Sequence, residues 1–411
     1  MTVASVADAG SFRVGMLLSD TRYRGYTIQV IAFILLMLFF GWLITNTISN
    51  LEALGKEFGF GFLGEPASYD INQRLIEYTS RSSHARAAVV GILNTLLVAF
   101  LGCILATVIG VVAGVLRLSK NWLVAKLMAV YIETVRNVPV LLQIILFSAV
   151  INETFASPKK AEPWFDGGLV MTNRGFYFPE PLFTRSLGSV DIGGLFALSL
   201  DFVAVAVVVV LSIIAGRAYS KWAHAKQDAT GEIQPIFWVR TSIFLVPVAV
   251  LLVLLGLHFG YPELKGFNYK GGIFARESLI ALWLALSVYT GAFIAENVRA
   301  GIQAVNRGQT EAAAALGLRP NRIMSLIILP QALRVIIPPL ISQYLNLTKN
   351  SSLAIAVGYM DATGTLGGIT LNQTGREMEC LMLLMAFYLI VSLLISAVMN
   401  WYNERVKLVE R

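Results

Sequence analysis

Residues 296–330 read ENVRAGIQAVNRGQTEAAAALGLRPNRIMSLIILP and are the most informative stretch of this chain. They place a short alanine-rich segment, flanked by basic residues, between two long apolar blocks at 279–301 and 335–357. The order within the segment is Glu311-Ala312-Ala313, three residues, Gly317, nine residues, Ile327, one residue, and Leu329-Pro330. The segment therefore predicts a small structured element that leads from one apolar helix into the next.

The local chemistry of the segment favours a short helix over 311–318. Glu311 opens a run of strong helix formers, Gln309 and Thr310 precede it as caps, and an acid in the first turn suits the helix dipole. Gly317 provides a C-terminal stop, and Pro320 prevents continuation. A bare alanine face lets the backbone of another protein approach closely. The alternative is an amphipathic surface helix that has no partner.

The composition predicts an integral membrane protein. Hydrophobic residues make up 56% of the chain, charged residues 14%, and the mean hydropathy is +0.69, whereas soluble domains carry about 25% charged residues. The net charge of +7 raises the possibility of nucleic-acid binding. However, the basic residues lie between apolar blocks, and the chain has neither zinc-finger spacing nor a basic recognition helix. The positive-inside rule explains the charge more simply.

The apolar blocks predict an all-α polytopic membrane protein of about eight transmembrane helices. A bilayer core about 30 Å thick needs roughly 20 apolar residues per helix. The segments that qualify are 27–47, 88–116, 123–151, 195–216, 240–259, 279–301, 335–357 and 380–402. The first is longer than a signal-peptide core, so we expect it to be retained as a span. The segments 48–87 and 152–194 read as irregular external connectors.

The distribution of basic residues predicts the orientation. Arginine and lysine concentrate in the N-terminal segment, in the alanine-rich loop and in the short loops on the same side. By the positive-inside rule, we expect both termini and the alanine-rich loop to lie in the cytoplasm.

Polar residues in the third span are candidates for a substrate pathway or gate. Glu133 and Arg136 are three residues apart on one helix face and so could form an ion pair. Pro139 breaks the helix one turn later, which frees backbone groups to line a cavity. Gln143 is a further candidate. A purely structural ion pair near the cytoplasmic end of the span is an equal alternative.

The seventh span carries a polar stripe, which should face protein or water rather than lipid. Its members recur at steps of three and four residues and are Gln343, Asn346, Lys349, Asn350 and Ser352. Lys349 is a plausible partner for a substrate carboxylate or for an acidic residue of another chain. The two interpretations, a lined pathway and polar contacts between helices, remain open.

Two other patterns concern helix packing and the membrane boundary. Ala106, Gly110 and Gly114 form a ladder of small residues that would let another helix approach the second span closely. Glu296 and Arg299 repeat the three-residue spacing at the end of the sixth span, where a snorkelling interfacial pair is the favoured interpretation.

The motifs that are missing from the sequence argue against catalysis by this chain. No G-x-x-x-x-G-K-[ST] occurs, so no Walker site for ATP is expected. The sequence also lacks HExxH, CxxC and G-x-S-x-G, and its three histidines are far apart. We therefore expect no metal and no cofactor bound by this chain.

Several stretches together resemble the permease subunits of binding-protein-dependent ABC importers for polar amino acids, the histidine/glutamine-permease branch. They are ETVRNVPVLLQ at 133–143, AENVRAGIQ at 295–303, Gly308-Gln309 before Glu311, LPQALR at 329–334, the prolines at 338–339 and KNSSL at 349–353. At 411 residues, the chain resembles the longer permeases of general L-amino-acid and Glu/Gln/Asp/Asn importers. The alanine-rich segment corresponds to the EAA loop of that family.

The resemblance implies a type I transmembrane fold that passes L-amino acids from a periplasmic binding protein to the cytoplasm. It implies a location in the bacterial inner membrane. Its implied partners are ABC ATPase subunits, which would hold ATP and Mg²⁺, and a second related permease or another copy of this chain. The residues that it assigns to ATPase coupling are Gly308, Gln309, Glu311, Ala312, Ala313, Ala315, Gly317 and Arg319.

The domain organisation that follows has three parts. Residues 1–87 form the N-terminus, an extra first helix and an external loop, residues 88–402 form the permease domain, and residues 403–411 form a cytoplasmic tail. An insert at 152–275 within the permease domain carries two extra helices. The alternative function is a transporter or channel driven by an ion gradient, which would use Glu133, Arg136 and Lys349 as coupling charges.

Overall fold

The structure is a computed structural model, which describes residues 21–55, 58–165, 167–192 and 196–406. The chain divides into two units, residues 1–60 and 61–411. The described part of the first unit is dominated by one long helix, α1 (Thr21–Ala53), which carries an apolar sequence. Residues 1–20 and 407–411 of the predicted cytoplasmic segments lie outside the described residues.

The second unit is a bundle of long apolar helices. They are α2 (His84–Arg117), α3 (Trp122–Asn137), α4 (Val140–Thr154), α5 (Leu200–Thr230), α6 (Ile236–Leu255), α7 (Glu277–Gln303), α10 (Leu329–Asn350) and α12 (Glu377–Val406). Three short helices, α8 (Arg307–Ala315), α9 (Pro320–Ile323) and α11 (Leu371–Thr374), connect them. Turns of other geometry occupy 61–64, 324–328, 351–357 and 363–370.

The described residues hold seven helices long and apolar enough to cross a membrane, plus one bent pair that gives an eighth. The mostly helical fold with seven or eight spans confirms the predicted all-α class. The third predicted span, 123–151, contains the predicted break at Pro139, where α3 and α4 meet at 108°. Proline at 139 forces the break, since its ring cannot continue α3. The seventh span begins at Pro320, earlier than the predicted residue 335.

Helix α7 lies at the centre of the bundle and contacts α2, α3, α4 and α10. Its closest neighbour is α2, where small residues let the two backbones approach. A Cβ on Gly110 would lie 2.5 Å from Ile294 atoms, and one on Gly114 would lie 2.6 Å from the Ala295 carbonyl oxygen. The ladder of small residues therefore has the predicted role, and α7 is the helix that it accommodates.

The insert is partly β-structured, which the sequence did not indicate. Strands β1 (Val170–Thr172), β2 (Gly175–Phe178) and β9 (Ile273–Arg276) form one antiparallel sheet. Three antiparallel pairs add β3 (Glu180–Phe183) with β6 (Leu257–Gly260), β4 (Ser189–Ile192) with β5 (Phe196–Ser199), and β7 (Glu263–Lys265) with β8 (Asn268–Lys270). The prediction of an irregular connector over 152–194 is therefore wrong for 170–172, 175–178, 180–183 and 189–192.

The extra helices α5 and α6 pack on each other as a hairpin. Gly231 and Gly256 end them in the left-handed conformation, with φ of 72° and 66°, which glycine adopts without a steric cost. Because β2, in the first part of the insert, pairs with β9 at its end, the last residues of the insert lie beside its first part directly before α7. The permease domain boundaries at 88 and 402 remain a prediction.

Candidate functional site

The alanine-rich segment forms the nine-residue helix α8, capped at both ends. Asn306 is its N-cap, since the side-chain oxygen accepts a hydrogen bond from the Gly308 amide at 2.8 Å. At the other end Gly317, with φ of 76°, donates its amide to the Ala314 oxygen at 2.9 Å. Leu318 donates to Ala313 at 3.3 Å. These bonds satisfy the terminal backbone groups of a helix too short to be stable alone.

Two details of the predicted helix are wrong. The helix begins at Arg307 rather than Glu311, so Gln309 and Thr310 lie inside it and are not its caps. Glu311 lies in the second turn, and the first turn contains no acid. Asparagine fixes the start because its side chain can replace a missing backbone acceptor, a signal that Asn306 carried in the sequence.

Most of the surface of α8 is exposed. Ala313 is buried against the following turns, whereas Ala312, Ala315 and Glu311 are exposed and Leu316 is 83% exposed. Gly308, Gln309 and Arg319 are exposed as well. Glu311 makes no ion pair within the described chain. The helix is thus a rigid element with a narrow alanine surface, one protruding leucine and one carboxylate that is not used internally.

A charged cluster joins three helices next to the end of α7. Arg117, in the last turn of α2, donates to Glu296 at 2.9 Å and to Glu133 at 3.3 Å. Glu296 also pairs with Arg299, as its spacing suggested. The Arg117 and Glu296 side chains are only 19% and 24% exposed, whereas Glu133 is 67% exposed. The Arg117–Glu296 contact is therefore the less screened of the two.

This geometry corrects the predicted pairing of Glu133 with Arg136. Glu133 reaches across to Arg117, and the Arg136 guanidinium lies 5.0 Å from the centre of the Phe293 ring, in a cation–π contact. Analysis of one helix at a time missed Arg117 because its partners are 16 and 179 residues away. The pair of Glu296 and Arg299 is likewise part of a three-helix cluster rather than an isolated interfacial pair.

Gln143 closes the break between α3 and α4. Its side-chain amide donates to the backbone oxygens of Val135 and Val138, both at 2.9 Å. These are carbonyl groups that the helix loses where Pro139 interrupts it. Gln143 itself is buried. The structure thus places this candidate in a structural role at the bend, where it satisfies freed backbone groups.

The predicted stripe on the seventh span lies on one side of α10. Asn346 and Lys349 are exposed and Gln343 is partly buried, whereas Ile336, Ile341 and Leu347 of the same helix are buried. Asn350 and Ser352 are partly buried where the helix tightens into a 3₁₀ turn. Near the charged cluster, a Cβ on Gly301 of α7 would touch Ile336, and further along α10 a Cβ on Gly102 of α2 would touch Leu347. Lys349 follows Leu347, so it lies towards the end of α10 that is distant from the charged cluster. The structure separates the two candidate groups.

One buried acid was missed in the sequence. Asp361 is fully buried between α10 and α12, where its carboxylate accepts hydrogen bonds from the Gly364 amide at 2.8 Å and from the Tyr388 hydroxyl at 3.5 Å. Burial raises the pKa of Asp361 to about 7. It escaped notice because it lies in a short segment between the predicted spans, where an acid is ordinarily solvated.

The described helices form an apolar bundle that presents a short capped helix between two candidate membrane spans. The sequence profile described as "Binding-protein-dependent transport system inner membrane component" matches residues 233–407. The glutamate/glutamine/aspartate/asparagine transport system permease protein BztB of Rhodobacter capsulatus is 52% identical over 100% of both chains. The general L-amino acid transport system permease protein AapQ of Rhizobium johnstonii is 43% identical over 98% of this chain and 96% of that protein.

This chain therefore belongs to the permease subunits of amino-acid ABC transporters. The relatives support transport by a permease subunit and give no support to the gradient-driven alternative. A solved structure of an amino acid ABC transporter with histidines aligns over 78% of this chain and 95% of its own, at 18% identity and a TM-score of 0.45. The family assignment rests on the full-length sequence relatives.

Proposed function

We propose that this chain imports L-amino acids across the bacterial inner membrane, with glutamate, glutamine, aspartate and asparagine as the substrate set. The support for this set is the 52% identity to BztB over the full length. A periplasmic binding protein would deliver the substrate, and a separate ABC ATPase would supply the energy. Both termini would lie in the cytoplasm, on the same side as α8.

The observation that carries the proposal is the exposed, doubly capped helix α8. A helix that packs loosely on its own chain but has fixed ends can move as a unit when a partner holds it. Leu316 and the exposed alanines fit a cleft that admits close backbone approach, and Glu311 offers a charge for a basic residue there. The helix connects through Pro320 and the turn at 324–328 to α10, which would transmit the motion to a span.

The polar side of α10 is the proposed wall of the substrate path. Lys349 and Asn346 are exposed in the single chain, and exposure of an ammonium group to lipid is costly. Facing a second permease subunit across a water-filled path would remove that cost. Glu133, Arg136 and Pro139 belong instead to the bend and charged cluster near the coupling helix, where they fit a gate.

Substitution of Glu311 tests the coupling role directly. We expect Glu311→Lys to abolish ATP-driven uptake in proteoliposomes while membrane insertion and Tm stay unchanged, because Glu311 has no ion pair within the described chain. Lys120→Ala, at an exposed position in the loop between α2 and α3, is the control and should transport normally. Unchanged uptake by Glu311→Lys, and by Gly317→Val, would show that α8 does not couple this chain to an ATPase.

A further inference from the structure

A polar cavity of about 470 Å³ opens at the start of α7. It is lined by Asn72, Asn152, Asn173, Arg174, Asn268, Phe274, Arg276 and Glu277. Because α7 has 27 residues, this end is about 40 Å from the end that leads to α8. The volume falls within the range of about 300–1,000 Å³ that small-molecule sites have.

The insert builds most of this cavity. The turn between β1 and β2 supplies Asn173 and Arg174, β8 supplies Asn268, and β9 leads into α7 through Arg276 and Glu277. The register of the sheet pairs Gly175 with Arg276, and the Glu277 amide donates to the Arg174 oxygen at 3.3 Å. Gly175, with φ of 144°, permits this approach, since a Cβ there would lie 2.5 Å from the Ala275 oxygen.

The charges in the cavity are two guanidinium groups and one carboxylate. Arg174 donates to the Asn268 side-chain oxygen at 2.7 Å, and Arg276 lies 3.4 Å from Glu277. The side-chain oxygen of Asn173 is buried and has no hydrogen-bond partner among the described residues. The pairing of Arg276 with Glu277 is explained as a structural contact at the helix start. That pairing does not account for Arg174, which is exposed and has no ion pair in the described part of the chain, or for the Asn173 oxygen.

We infer that this cavity binds an acidic L-amino acid, at a site separate from the path along α10. Its two carboxylates would bind Arg174 and Arg276, and its ammonium group would bind Glu277 and the Asn173 oxygen. The net charge of the cavity is positive by one, which an amino acid with two carboxylates neutralises. A neutral amide leaves one guanidinium without a carboxylate, and a basic amino acid adds like charge. The inference rests on the proposed function and gives the insert a role in it.

A cysteine reporter can detect occupancy of this cavity. Asn72→Cys places a thiol in the lining, and Leu75→Cys places a thiol at an exposed position of the same loop that does not line the cavity. The complete transporter, in nanodiscs and without binding protein, is treated with a charged, membrane-impermeant maleimide. The unsubstituted chain, whose cysteines at 103 and 380 lie within apolar helices, gives the background.

The expected result is that L-glutamate and L-aspartate slow labelling at position 72 but not at position 75, and that L-lysine slows neither. Arg174→Gln and Arg276→Gln should each raise the half-protecting concentration about 10-fold or more, the scale of a lost charge-assisted hydrogen bond. Arg185→Gln, at an exposed arginine that does not line the cavity, should leave it unchanged. Asn173→Leu should also weaken protection, since it removes the acceptor but not the guanidinium groups.

Three outcomes would overturn the inference. The first is absence of protection by any amino acid, and the second is equal protection by L-lysine and L-glutamate. The third, tested with binding protein added in place of the amino acid, is protection by the binding protein alone, which would make the cavity a protein-docking surface. ATP- and binding-protein-dependent uptake is measured on the same purified transporter after reconstitution into proteoliposomes. Uptake without protection overturns the cavity site alone, whereas absence of uptake of every amino acid overturns the proposed function.

Discussion

The carboxyl group of Asp361 is fully buried, and hydrogen-bond donors contact only part of it. The Gly364 amide and the Tyr388 hydroxyl donate hydrogen bonds to this carboxyl group, and neither carries a positive charge. Loss of hydration therefore outweighs the hydrogen bonds and raises the pKa of the Asp361 carboxyl to about 7. An unfolded aspartate titrates near 3.9. Between about pH 4 and about pH 7, the folded chain therefore keeps a proton on Asp361 that the unfolded chain has lost.

The first prediction concerns stability against pH. Because the folded state binds more protons, the contribution of Asp361 to the free energy of unfolding is complete below about pH 4. It declines up to about pH 7, by an amount on the order of 4 kcal/mol. Asp361→Asn should remove this part of the slope in thermal unfolding between pH 5 and pH 8. Asp228→Asn, at an exposed position, should retain it, and equal slopes in all three proteins would contradict the assignment.

The second prediction concerns Gln143, which holds the bend between α3 and α4. Gln143→Leu keeps the approximate volume but leaves the Val135 and Val138 carbonyls without their donor. Each lost partner of a fully buried group costs about 1–3 kcal/mol. Because these two hydrogen bonds are only partly buried, we expect a combined loss of about 2–4 kcal/mol, seen as a lower Tm in detergent. Gln29→Leu, on the exposed surface of α1, is the matched control. A Tm shift no larger than that of the control would show that water satisfies the carbonyls.

At the scale of elements, the contact between α2 and α7 depends on having no side chain at Gly110. A Cβ there would lie 2.5 Å from Ile294 atoms and 2.9 Å from the Gly291 oxygen, and the backbone atom cannot move aside. Gly110→Ala should therefore cost about 1–3 kcal/mol, as overpacking does, despite the higher helix propensity of alanine. Gly41→Ala in α1 meets nothing within 4 Å. It should leave Tm unchanged or raise it, and similar Tm values for both variants would contradict this interface.

The same interface shows what the sequence could predict. The ladder of Ala106, Gly110 and Gly114 indicated a close helix contact because the spacing alone determines which residues share a face. It could not name α7 as the partner. Apolar blocks of sufficient length likewise predicted the spans. Pro139 predicted a break within the third span, but not the angle of 108° between its two helices.

Features that depend on contacts distant in sequence were not predictable. Pairing of β2 with β9 joins Gly175 to Arg276 across the whole α5–α6 hairpin, and strands of four residues leave no clear alternation. The Arg117–Glu296 contact and the cavity at the start of α7 have the same origin. In each case the residue types were visible in the sequence, but their partners became known only when the helices were placed together.

At the scale of the whole molecule, the polar side of α10 indicates that the chain is not complete as a transport unit. Asn346 and Lys349 are exposed in the single chain, and the described residues supply no ion pair for Lys349. A cation that faced lipid at this depth would be expensive. A second permease subunit, as proposed above, would provide an aqueous path and so the surroundings that these side chains require.

The fourth prediction is that a tagged chain, extracted from its native membrane in mild detergent, copurifies with an ATP-binding subunit and with a second permease in equal amount. Mass spectrometry identifies and quantifies the chains. Recovery of this chain alone, from a preparation shown to be transport-competent, would instead support a self-contained transporter. Recovery of the ATPase with only further copies of this chain would establish a homodimer.

Crosslinking locates the surface that meets the second permease. We expect Asn346→Cys to form a crosslink to the second permease with a short bifunctional maleimide, because the polar side of α10 has no other partner within the described chain. Leu393→Cys lies on the exposed apolar surface of α12, which suits lipid, and should give no such crosslink. If position 393 crosslinks and position 346 does not, α12 forms the interface. The polar residues of α10 would then line a path within a single subunit.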